Sequence, residues 1–227
     1  KPSVEILLSS YGKDKIKSGA VRYSLRSDEL DINGSVEFTS SDARLTSVGI
    51  FVPDFSGITK PQKAVLTLAM GELHNSYVFW LYPQTDVEIT ENGIKTADDE
   101  LIFADSVEKA KVLIASGKKA MVITDGSNAI ENAYCADFWN YHMFRVISES
   151  MNKPVAPGTM GLLIDKNDKL LSAFPCEKFT TPQWYEAVTH SKADILDDTP
   201  DVTPIVQVVD NTERCHRLGM LYKRNGI

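Results

Sequence analysis

Two rhythms of apolar and polar positions divide the chain. Through residues 1–84 the period is two, in short runs over 4–8, 20–26, 35–39, 47–52, 63–69 and 77–82. In the fifth run Ala64, Leu66 and Leu68 fall on one face and Lys63, Val65 and Thr67 on the other. A strand with one buried face requires that alternation. Asn33-Gly34 lies between two runs and predicts a type I′ hairpin, because both residues tolerate positive φ. Six short strands with turn signals between them predict a small β-sandwich, immunoglobulin-like in outline. The Cys-Trp-Cys set of antibody domains is missing from it.

After Pro83 the rhythm changes. Residues 101–104 read as a strand, and Asp105 with Glu108 three positions on predicts a capped helix start. Val107, Ala110, Leu113 and Ile114 give that helix an apolar stripe, and Gly117 closes it. Residues 120–124 and 161–164 read as strands, 138–148 as a helix, and Thr181-Pro182 as another helix start with Pro at the first helical position. Residues 204–209 form the last clear strand, with 218–222 as its partner. Strands alternating with helices predict an α/β domain built on a parallel sheet. Two domains are therefore expected, 1–84 and 85–227, joined near 83–87.

Composition narrows the classes. A content of 43% hydrophobic and 24% charged residues is that of a folded protein. A net charge of −7 argues against nucleic acid, which needs clustered Lys and Arg. No apolar run approaches the ~20 residues of a membrane-spanning helix. Cys135, Cys176 and Cys215 are an odd set without a pairing pattern, so neither a disulfide framework nor a Cys-rich zinc site is expected. The opening Lys1-Pro2-Ser3-Val4 has no Met and no apolar leader, so the chain reads as a mature or internal fragment. Its end, just past Asn225-Gly226, leaves the second domain expected to be truncated.

Catalytic motifs are sparse. None of the three cysteines has the flanking glycines of a nucleophile elbow, and no Gly-x-Ser-x-Gly occurs. His74, His142, His190 and His216 are scattered, with no His-x-Glu to supply an orienting carboxylate. Phosphate-cradling glycine loops are absent, so no cofactor is expected. Metal is not expected either, since a lone His with nearby acids is more often simply hydrogen-bonded. The acidic stretch 194–201 reads as a solvated loop.

Several segments together resemble the C-terminal region of family 2 glycoside hydrolases, the β-galactosidase and β-glucuronidase group. They are Asn75-Ser76-Tyr77-Val78-Phe79-Trp80-Leu81-Tyr82-Pro83, Asp137-Phe138-Trp139-Asn140-Tyr141-His142-Met143-Phe144-Arg145 and Pro157-Gly158-Thr159-Met160-Gly161-Leu162-Leu163. Thr181-Pro182-Gln183-Trp184-Tyr185 and the run from Pro204 through Asp210-Asn211-Thr212-Glu213-Arg214-Cys215-His216 to Gly219 complete the set. The resemblance implies a β-sandwich followed by a domain similar to flavodoxin or to class I glutamine amidotransferases. It also implies a catalytic barrel and a sugar-binding domain upstream in the same polypeptide, and export to the periplasm or cell surface. The amidotransferase nucleophile elbow and His-x-Glu are not matched here.

Three roles stay open on these residues. The first is an accessory, non-catalytic part of an exported glycoside hydrolase, supporting the catalytic barrel or an oligomer interface. The second is a carbohydrate-binding module, with Trp139, Tyr141, His142, Trp184 and Tyr185 as candidate contacts to an oligosaccharide. Sugar rings present apolar C–H faces that suit exposed aromatics, although buried aromatics more often serve packing. The third is a Cys-dependent hydrolase acting through Cys135 or Cys215. Asp210, Asn211, Glu213, Arg214 and His216 follow a buried strand, where a vestigial pocket would lie. Capping by Asp210 or Asn211 and an Arg214 ion pair explain the same residues without a ligand.

Overall fold

The computed structural model describes residues 2–13, 16–39, 44–134, 142–153 and 158–225, with His142 described by its backbone only. Trp139, Tyr141, Cys135 and the His142 side chain, all expected contributors to a site, lie outside the described residues. The chain divides into two compact units, Lys1–Gln84 with Ala173–Pro175, and Thr85–Ser172 with Cys176–Ile227. Its architecture is β-rich, in several mainly antiparallel sheets.

The first unit is a sandwich of six strands. β1 (Val4–Ser9) and β4 (Leu45–Phe51) pair in one sheet. β2 (Ser18–Arg26), β3 (Asp31–Thr39), β5 (Gln62–Met70) and β6 (Leu73–Leu81) form the other, in the order β3-β2-β5-β6. Ile6, Val48 and Phe51 from the small sheet meet Val21, Leu25, Phe38, Ala64 and Leu66 from the large one. Burying each of the larger aliphatic or aromatic side chains contributes about 1.5–3 kcal/mol. The immunoglobulin outline is not reproduced, because β2 and β3 stay in one sheet as a hairpin, whereas that fold sends its second and third strands to opposite sheets.

The Asn33-Gly34 turn is also corrected. Both residues lie inside β3, paired with Ser24 and Tyr23, and the chain reverses at Ser27–Leu30 instead. Gly34 is there for space: a Cβ would collide with the Tyr23 ring, which stacks on Phe51 at 4.2 Å between centroids. Glu29 on that reversal accepts from Thr59, Lys60 and the buried Gln62, and the Thr59 bonds above all hold its carboxyl down at about 2.

The second unit holds two sheets. β7 (Glu88–Thr90), β8 (Gly93–Lys95), β9 (Glu100–Ala104) and β10 (Lys119–Val122) run in the order β10-β9-β8-β7. Helix α1 (Val107–Ala115) links β9 to its parallel neighbour β10. Its cap is Ser106, not Asp105: the Ser106 hydroxyl accepts from the Lys109 amide. Gly117 takes φ +82 just past its end, as a C′ glycine does.

The larger sheet consists of β11 (Ala129–Glu131), β12 (Thr159–Ile164), β13 (Lys192–Ile195), β14 (Val202–Asp210) and β15 (Arg217–Arg224), ordered β11-β13-β15-β14-β12. Every pairing in it is antiparallel, so the expected parallel α/β sheet is realised only at β9 and β10. The connections explain the difference. Six residues join β14 to β15, while a parallel return needs a crossover of a dozen or more. Helices α2 (His142–Ser150) and α3 (Tyr185–Thr189) are short. No helix among the described residues is long and apolar enough to cross a membrane.

Candidate functional site

The β14–β15 turn collects the polar residues singled out in the sequence. Along β14, Val206, Val208 and Asp210 share the inward face, so the strand's own period carries a carboxylate into the interior. A buried charge must be paired and hydrogen-bonded. Asp210 Oδ1 accepts from Arg214 Nη2 (2.6 Å), Arg214 Nε (3.1 Å) and its neighbour's amide, Asn211 N (2.8 Å). Its Oδ2 accepts from His216 N at 3.0 Å. Asn211 Oδ1 in turn accepts from Glu213 N and Arg214 N, an Asx-type arrangement that shapes the loop. Asp210, Asn211, Arg214 and His216 therefore meet, with Asp210 as the hub. Glu213 stays exposed and joins through its backbone.

The acidic stretch 194–201 is a strand end followed by a largely exposed turn, and its carboxylates are engaged in specific bonds. Asp197 Oδ2 accepts from His216 Nδ1 at 2.6 Å and its Oδ1 from Arg217 N at 2.7 Å. Arg217 donates to the carbonyls of Thr199 and Val202, and Asp194 accepts from Tyr222 Oη at 2.8 Å. Burial first, and the Asp194 bond second, push the Tyr222 hydroxyl up to about 12. Asp197 supplies the carboxylate that orients the His216 ring, and its distance of nineteen residues in sequence left no motif to find it by. Cys215 adopts φ +55 and is exposed, and its Sγ donates to Thr212 O at 3.2 Å.

The His216 bond is the largest cause holding the Asp197 carboxyl below its usual value, with the Arg217 amide next. An ionised Asp197 is thus favoured by the fold. Its stabilising contribution is present above the unfolded value of ~3.9 and is lost as pH falls through the lower folded value. Asp197→Asn should therefore be less stable than wild type at neutral pH. Chemical denaturation between pH 2 and 7 should find the two curves converging at the acid end, and parallel curves would refute the linkage.

A second group of donors borders the start of β12. Thr159 pairs with Asp210 across the strands, and Gly158 just before it takes φ +86. Arg214 Nη2 reaches Gly158 O at 3.4 Å. A Cβ on Gly158 would collide with Arg145 Nη1 and lie 3.3 Å from Asn211 Nδ2. Thr159 Oγ1 accepts from Ala133 N at 2.6 Å, which brings the chain at Tyr134 to the same strand end. Arg145, Gly158 and Tyr134 were not expected at a site.

Of the aromatic candidates, Trp184 is 6% exposed and offers no face to a sugar. It ends the 3₁₀ turn Pro182–Trp184, and the next residue, Tyr185, is 51% exposed. The Tyr185 ring meets Tyr134 edge to face, with centroids 5.3 Å apart and planes at 75°.

A protein-family profile described as Domain of unknown function (DUF8487) matches residues 101–225, more than half of the chain. A second, Domain of unknown function (DUF8488), matches residues 1–83. The chain belongs to the first of these families, and the match to the second profile lies ahead of it. Comparison with curated proteins finds no match.

Proposed function

We propose that this DUF8487 family member is an accessory, non-catalytic part of an exported multidomain glycoside hydrolase, docked on another domain of the same polypeptide through its β-sandwich. The observation that carries the docking is the uncovered face of β6. Register places Phe79 opposite Ala64, Tyr77 opposite Leu66 and Leu73 opposite Met70, all on the inward face of the large sheet. Ala64 and Leu66 are buried, yet Phe79 is 40%, Tyr77 46% and Leu73 60% exposed. The two-stranded cover stops short of this edge. β6 also carries no Lys, Arg, Asp, Glu or Pro, the residues that usually guard a free sheet edge.

The area argues for a tethered occupant. Large apolar side chains bury about 150–250 Å² each, so three half-exposed ones offer roughly 300 Å². A stable complex between free chains needs about 800 Å² per partner. A domain on the same polypeptide needs less, because tethering replaces area with effective concentration. The glycoside hydrolase reading itself is supported by the resemblance at 75–83, 157–163 and 204–219.

In the polypeptide that carries this chain, Tyr77→Ser with Phe79→Ser should lower the melting temperature of the neighbouring domain and speed its release by limited proteolysis. The isolated 227-residue chain, whose strip is already wet, should melt nearly unchanged. Identical melting and proteolysis of wild-type and variant polypeptides would exclude the docking. A parent polypeptide that cleaves no glycoside would exclude the enzyme.

A further inference from the structure

We propose that the start of β12 is a binding site for acidic oligosaccharides, in which Arg145 and Asn211 take a sugar carboxylate and Tyr185, backed by Tyr134, takes the apolar face of the ring. It involves only residues of the second unit, so it stands or falls separately from the docking of β6.

Asn211 is 6% exposed, and its two ends are used unequally. Its Oδ1 accepts two backbone amides of the turn, whereas its Nδ2 donates to no acceptor among the described residues. That leaves the amide donor available to a ligand oxygen. Arg145 has the same deficit in charge. It is half-buried on α2, and no described carboxylate pairs with it. The nearest anion of the turn, Asp210, is already saturated by four donors, and Arg214 is committed to it and to Gly158 O. A guanidinium with no carboxylate partner and an amide with no acceptor, among the described residues, therefore border the same point over Gly158. They are close enough for the two oxygens of a single carboxylate. Gly158 lets the Arg145 guanidinium lie against the backbone beside Asn211 Nδ2, since any side chain there would collide with it.

The aromatic half adjoins through the Ala133–Thr159 bond, which sets Tyr134 beside the residue that follows Gly158. Tyr185 is half in water, and its ring meets that of Tyr134 edge to face. Rings alone would accept neutral sugars. Rings beside a cation with no described carboxylate partner select a sugar bearing a carboxylate, because charge-assisted bonds from Arg are about twice as strong as neutral ones. In a chain of net charge −7 such selection must come from a local site and not from the overall field.

Calorimetric titration of the full chain at low salt tests this. The probes are galacturonate, glucuronate and mannuronate trimers, the methyl ester of the galacturonate trimer, and inorganic phosphate and sulfate. At least one uronate trimer should bind, and if the galacturonate trimer does, its ester should bind at least about tenfold more weakly. Asn211→Asp keeps an oxygen for the Glu213 and Arg214 amides, so the turn persists, but it places an anion against the ligand. That variant and Arg145→Gln should each weaken the acid trimer at least about tenfold, and Tyr185→Ala should weaken it too. Failure of every uronate to bind wild type would overturn the proposal. So would an ester that binds as well as its acid, or Asn211→Asp binding unchanged. Free phosphate or sulfate binding as tightly as the trimer would overturn it as well, by revealing an oxyanion pocket with no use for the sugar.

Discussion

Trp184→Ala should cost about 3–5 kcal/mol, the usual range for emptying a buried aromatic site. That is a large share of the roughly 5–15 kcal/mol that holds a domain folded. The ring is almost fully withdrawn from water at the end of the turn Pro182–Trp184, where it leads directly into α3. A five-residue helix has no stability of its own, so its place depends on what anchors it. Val188, fully buried, and Trp184 are the apolar side chains available for that. Removing the ring should lower the melting temperature of the second unit by on the order of 10 °C and release Tyr185 from its contact with Tyr134. Tyr185→Ala, one residue on but half exposed, should cost no more than about 1 kcal/mol. Thermal melts of the two variants read the difference. Equal melting for Trp184→Ala and wild type would mean that the ring fills no indispensable space.

The contrast between these neighbours also marks the limit of what composition can say. Trp184-Tyr185 reads as one aromatic surface in the sequence, yet the turn that Pro182 starts sends one ring inward and the other out. Period-two runs such as 63–69 were legible because each strand has one wet face. β14 was legible as a strand but not in its direction, since a strand covered on both faces shows the same apolar run in either kind of sheet. Gly34 signals a turn to any local rule, and only the Tyr23 ring lying across it explains its place inside β3. At the site, Asp210, Asn211 and Arg214 were readable because neighbouring positions close one loop. Asp197, Arg145 and Gly158 come from distant segments, and nothing in their spacing ties them to that loop.

Asp210→Ala should be about as damaging as the loss of Trp184, at ~3–5 kcal/mol, because it breaks a buried ion pair from one side only. The Asp210 side chain is 2% exposed and that of Arg214 27%, so the guanidinium left behind keeps little water to replace its partner. The Asn211 and His216 amides lose their acceptor in the same step. Removing both charges should be milder: Asp210→Ala with Arg214→Leu deletes the unpaired cation and should recover part of the loss. Hydrogen exchange separates the two effects. Amide exchange at Asn211 and His216 should quicken in both variants, since both lack the carboxylate, while global stability falls furthest in the single one. If the double variant is the less stable, Arg214 contributes more through its bond to Gly158 O and its packing than through its charge. In that case the turn is held by the β12 contact, and Asp210 serves chiefly to neutralise an arginine that the strand end already requires.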